Sequence, residues 1–126
     1  MWRRRERCVG TVTESGPISH LTADLGGVGS GALRDVPMLS GLLIAAASAA
    51  GLGGAAAPVV RTGVDGGVAA FLLLDPCHLS VHSFPDRGFA LVDVISRDSA
   101  GAAKALDVFV RRLLPTSVTS ETRMRG

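Results

Sequence analysis

The sequence is poor in aromatic residues, with no tyrosine, one tryptophan and four phenylalanines among 126 residues. Glycine and alanine are abundant instead, although 47% of the chain is apolar. A hydrophobic core is therefore available, but small side chains each remove little area from water, so a lone domain of this size is only modestly stabilised. A homodimer that buries a further sheet face or edge is the expected remedy. Cysteine is scarce as well. Cys8 and Cys77 are the only two, too few for a disulfide framework, which fits a reducing cytoplasm. Net charge is small, at +2, and much of the excess sits at Arg3, Arg4, Arg5 and Arg7. Without that lead the chain is close to neutral, which argues against a broad electrostatic footprint for nucleic acid. The basic lead runs into CVGTVTESGP and not into the apolar run of a signal peptide, so residues 1–16 are expected to be a flexible, solvated tail before one domain over 17–126.

Charge is missing altogether between Asp35 and Arg61. By count alone such a stretch is long enough to cross a bilayer. It is interrupted by Gly41, Gly51, Gly53, Gly54 and Pro58, and its best apolar part, Met38–Ala50, is too short. The expectation is a buried helix followed by a loop, with no membrane span.

Periodicity supplies the elements. Ile18–Leu25 alternates as a first strand. GGVGSG at 26–31 has neither the spacing nor the Lys-Ser/Thr of a phosphate loop and reads as a connection. Asp35 is a helix N-cap with Pro37 in the first turn, Leu39, Leu42, Leu43 and Ala46 recur at helical spacing, and Gly51 is a stop, so a helix is expected over about 36–50. Ala57–Thr62 is a short strand, and Val68–Leu74 is a continuous apolar run expected to be buried on both faces. His78–Phe84 alternates, with His78, Ser80, His82 and Phe84 on one face. Pro85-Asp86-Arg87-Gly88 is a tight turn, and Phe89–Ser96 returns antiparallel. Asp98 or Ser99 caps a second helix with an apolar stripe of Leu106, Phe109, Val110 and Leu113; Pro115 ends it, and Val118–Met124 is a last, exposed strand. The order predicts an α+β two-layer sandwich, an antiparallel sheet with two helices packed on one face.

Cys77, His78 and His82 lie within six residues. A thiolate and imidazoles are good zinc ligands, but third and fourth partners are lacking beyond Cys8, His20 and scattered carboxylates, so no metal is expected. Buried residues satisfied by their neighbours are a second reading. A nucleophile with a base nearby is the third.

CHLSVHSFPDRGFALVDV closely resembles the self-cleavage segment of the small prokaryotic S-adenosylmethionine decarboxylases. That segment reads Glu-Ser-His-(Ile/Leu)-(Ser/Thr)-Ile-His-Thr-Trp-Pro-Glu and, two residues later, Tyr-Ala-Ala-Val-Asp-Val-Phe. The match runs without a gap from Cys77 to Arg97 and extends more weakly over 17–126. The resemblance implies the same sandwich fold. It also implies a proenzyme that cuts itself before a serine, whose residue becomes a pyruvoyl group, an electron sink in place of pyridoxal phosphate. Cys77 stands in the serine's place, and a thiol too can attack the preceding carbonyl, here that of Pro76, which replaces a glutamate. His82 matches the histidine that removes the α-proton in processing. Asp86 matches the glutamate that holds the substrate ribose, and Phe84 replaces a tryptophan. Ala69 stands where the family has a serine that assists processing, Arg97 where it has the proton-donating cysteine, and Gly63 where an aromatic stacks on adenine.

Two functions follow from the resemblance. One is a pyruvoyl-dependent decarboxylase of polyamine (spermidine) biosynthesis, self-cleaving before Cys77. It would act on S-adenosylmethionine or a related amino acid, with Arg97 able to pair with a substrate carboxylate. The other is a non-processing homologue that binds a ligand or regulates an active partner, with Cys77 a plain thiol and no cofactor.

Overall fold

The computed structural model describes residues 3–6, 16–52, 57–74 and 77–126. Its strands are β1 (Arg3–Glu6), β2 (Ile18–Gly26), β3 (Val59–Thr62), β4 (Val68–Leu73), β5 (His78–Phe84), β6 (Phe89–Ser96) and β7 (Ser117–Arg125). Its helices are the single turn α1 (Ser30–Leu33), α2 (Val36–Ala49) and α3 (Ser99–Leu113). The strands form one sheet in the order β1-β7-β2-β6-β5-β4-β3. Strands β2 to β7 pair antiparallel throughout, and β1 joins the edge of β7 in parallel. The two-layer α+β sandwich is therefore the fold. Within the N-terminal lead, the backbone of Arg3–Glu6 takes up the edge groups that β7 would otherwise leave unpaired. Arg7 and Cys8 lie outside the described residues.

Period two explains the layers. Leu21, Ala23 and Leu25 of β2, Leu79 and Val81 of β5, and Ala90, Val92 and Val94 of β6 all point to one side and are buried there. Against them pack Leu39, Leu43 and Ala46 of α2 and Ala105, Leu106, Phe109 and Val110 of α3, all in one core. Both helices begin as the sequence dictates. The Asp35 carboxylate accepts from Met38 N at 3.1 Å and the Asp98 carboxylate from Ala100 N at 3.0 Å, each satisfying an orphan N–H of a first turn. Helix α2 stops at Gly51, which takes φ +74°. Helix α3 stops at Leu114, forced to φ 50° just before Pro115.

Among the described residues, the opposite face of the sheet carries no helix. Strand β4 shows the consequence: Val68, Ala70 and Leu72 are buried, but Phe71 is 38% and Leu73 66% exposed. The expectation that Val68–Leu74 is buried on both faces fails within one chain, because both long helices cover the same side. Strand β7 departs from its expected exposure in the same way, since Val118 and Ser120 are buried between β1 and β2. The open face is where most of the chemistry-bearing side chains point.

Candidate active site

The hairpin β4–β5 presents the segment that the sequence singled out. Leu74 N donates to Cys77 O at 2.8 Å, which ties the residue after β4 to the residue before β5. Pro76 itself lies outside the described residues. Cys77 is a free thiol, only 4% exposed. Arg97 follows the last residue of β6 and is exposed. Because His78 pairs with Ile95 in antiparallel register, Cys77 and Arg97 lie at the same end of the sheet.

His82 lies at the other end. It pairs with Ala69 on one side and Leu91 on the other, with its side chain on the open face. Together with Arg61, Gly63, Asp65, Ala69 and Phe84 it lines a cavity of about 290 Å³. The structure thus brings His82, Phe84, Ala69 and Gly63 to one place. It does not bring Cys77 there. Cys77 and His82 are five positions apart, about 16 Å along an extended strand. The nucleophile with its base nearby is therefore not assembled within one chain.

Asp86 sits in the 3₁₀ turn Pro85–Arg87, closed by Gly88 in the left-handed region at φ 60°. Its carboxylate accepts from Arg34 at 3.2 Å. Arg34 also donates to the carbonyl of Asp65 at 3.4 Å, so one guanidinium ties the turn holding Asp86 to the loop that walls the cavity. The cavity lining does not include Asp86.

A polar group that the sequence reading did not assemble occupies the middle of the open face. Asp93 of β6 lies between β2 and β5. One of its oxygens accepts from His20 Nε2 at 2.5 Å and the other from His78 Nε2 at 2.8 Å. Ser80 Oγ lies 3.5 Å from the second oxygen. Arg125 of β7 donates through Nε to His20 Nδ1 at 3.1 Å, and the His78 ring stacks on Phe71 with centroids 4.8 Å apart. Alternation alone puts His20, His78 and Asp93 on one face. Their meeting depends on which strands are neighbours. Among the described residues no three His, Cys, Asp or Glu side chains converge as a metal-holding group, the two imidazoles instead donating to opposite oxygens of Asp93.

The family resemblance implies a pyruvoyl group formed from residue 77; Cys77 has the thiol such a step would use, and its carbonyl accepts from Leu74 N. Comparison with known proteins identifies the family. Residues 19–126 match the sequence profile described as S-adenosylmethionine decarboxylase. The S-adenosylmethionine decarboxylase proenzyme of Pyrobaculum aerophilum is 32% identical over 100 residues, 79% of this chain and 80% of that protein. The arginine decarboxylase proenzyme of Hyperthermus butylicus is 32% identical over 98 residues, 76% of this chain and 69% of that protein. Against other Pyrobaculum proenzymes the match is confined to 59 residues, about half the length of those relatives. The crystal structure of the adenosylmethionine decarboxylase from Aquifex aeolicus VF5 superposes with a TM-score of 0.80 at 28% identity, covering 89% of this chain and 92% of that one. Sequence profile, relatives and fold agree, and with the hairpin at Cys77 and the cavity at His82 they show that the chain belongs to the S-adenosylmethionine decarboxylase family.

Proposed function

We propose that the chain is a self-processing, pyruvoyl-dependent decarboxylase of an α-amino acid, S-adenosylmethionine or a relative of it, serving polyamine synthesis in the cytoplasm. The observation that carries this reading is the family match over residues 19–126, which spans the segment from Cys77 to Arg97, with the Cys77 carbonyl held by Leu74 N. The Cys77 thiol adds to the carbonyl of residue 76 and the 76–77 peptide bond breaks, leaving a thioester and a free α-amine on residue 77. Loss of the α-proton then breaks the Cβ–S bond and releases the upstream segment as a thiocarboxylate. Water displaces the nitrogen of the resulting dehydroalanine as ammonia, leaving the pyruvoyl group as the new N-terminus. When formed there, the carbonyl group of the pyruvoyl supplies an electron sink for decarboxylation. The chain's own residues do the rest. His82 takes the α-proton in processing, Phe84 and Asp86 hold the substrate, and Arg97 offers a guanidinium where the family's acid stands.

The working unit in this reading is a homodimer. Phe71, Leu73, Phe84 and Leu91 expose apolar surface on the uncovered sheet face, and two copies laid face to face with a two-fold axis between them would bury it. Such an axis, with the strands of the two copies running antiparallel, sets the Cys77–Arg97 end of one chain against the His82 cavity of its partner. Two complete sites then arise from halves that one chain keeps about 16 Å apart.

Intact mass tests the processing. The expected result is two fragments divided before Cys77 in place of one chain of 12.9 kDa, with cleavage abolished in Cys77→Ala. A wild-type chain that stays whole for days refutes self-processing. Melting shifts with S-adenosylmethionine, arginine and ornithine then separate the substrates, since a ligand of the native state raises its stability.

A further inference from the structure

The processing and substrate roles above use neither Asp93 nor the two imidazoles bound to it. We infer that Asp93 is a positioning residue for the reacting end of β5: by gripping His78 it fixes residue 77, its neighbour in the chain. The inference rests on residue 77 being the point of cleavage. Before the cut, residue 77 is held from both sides by the chain. After the cut it is a terminus, and strand termini fray unless tied down.

This strand end is tied at several points. Leu74 N holds the Cys77 carbonyl at 2.8 Å. The His78 side chain, 24% exposed, is held on its edge by Asp93 Oδ2 at 2.8 Å and on its face by the Phe71 ring at 4.8 Å with 26° between planes. Asp93 is held in turn. An arginine N–H can only donate, so the 3.1 Å contact from Arg125 Nε makes His20 Nδ1 an acceptor. The His20 proton is then on Nε2 and is donated to Asp93 Oδ1 at 2.5 Å. The carboxylate accepts from both imidazoles, which sets His78 as an Nε2–H donor too. One chain of bonds therefore runs from β7 through β2 and β6 to the first residue of β5, and it ends next to the reaction centre. Groups one bond removed from the reacting atoms act by keeping those atoms in register, and a displacement of about 1 Å can cost on the order of a hundredfold in rate.

Asp93→Asn tests this. An amide presents one acceptor where two N–H groups arrive, and its own NH₂ meets an imidazole N–H. In this variant, amide hydrogen exchange at His78, Leu79 and Ser80 should quicken about tenfold or more, while α2 and α3 keep their protection. In the cleaved protein, kcat for carbon dioxide release from S-adenosylmethionine should fall about 10- to 100-fold with KM within about twofold, since the substrate's own contacts are untouched. His78→Ala should give the same pattern, and His78→Gln, which keeps an N–H for Asp93, should recover part of it. These two variants also decide the matter if Asp93→Asn fails to fold. Unchanged exchange at residues 78–80, or a loss confined to KM, overturns the inference. A wild-type chain that is never cut overturns the cleavage reading instead, and the exchange measurement on the whole chain still decides whether Asp93 anchors β5.

Discussion

If a complete site needs the Cys77 end of one copy and the His82 end of another, two broken chains should repair each other. The distance is the reason: five residues of extended strand separate Cys77 from His82, about 16 Å, whereas proton transfer needs heavy atoms within roughly 3 Å. Cys77→Ala lacks the nucleophile, and His82→Ala lacks the base. Each variant expressed alone should remain whole. Co-expressed in equal amounts, they should assemble at random, so about half of the dimers are mixed. In a mixed dimer one site combines both alanine substitutions, and the other combines the intact Cys77 and His82. The arithmetic then predicts cleavage of about half of the His82→Ala chains, about a quarter of all chains, and of none of the Cys77→Ala chains. Intact mass distinguishes the two chains and reads each fraction directly. No cleavage in the mixture refutes the shared site and confines processing to a single chain. Cleavage of His82→Ala expressed alone removes His82 from the processing role.

The uncovered face gives a second prediction. Leu73 is 66% exposed in one copy, so Leu73→Glu should leave the secondary structure unchanged by circular dichroism but shift sedimentation from dimer to monomer. In the core, Phe109 is fully buried under the sheet, and Phe109→Ala should cost about 3–5 kcal/mol in denaturant unfolding, a large share of what a domain of this size has. Loss of the cap in Asp35→Ala should cost about 1 kcal/mol in the same assay. Asp107→Ala breaks a 2.8 Å pair with Arg111 on the outer face of α3 and should move stability by less than about 0.5 kcal/mol, because exposed i,i+4 pairs contribute little.

The sequence by itself determined most of the elements and the core faces of several strands. Asp35, Pro37 and Gly51 bound one helix, and the stripe from Leu106 to Leu113 identifies the other, because caps and apolar periods are local physics. Alternation in His78–Phe84 and Phe89–Ser96 separated the core-facing residues from the rest, and the Pro-Asp-Arg-Gly turn fixed their hairpin. The segment from Cys77 to Arg97 was also enough to identify the family. The sequence could not say that both helices cover the same face, so the apolar run at Val68–Leu74 read as doubly buried when Phe71 and Leu73 are exposed. It also joined Cys77 to His82 on closeness in number, where an extended strand carries them about 16 Å apart. Tertiary structure alone decided that β6 lies between β2 and β5, which places the Asp93 carboxylate between His20 and His78, residues 58 positions apart in the chain. Such contacts depend on strand order and register, which long-range packing sets, and no local pattern of residues encodes them.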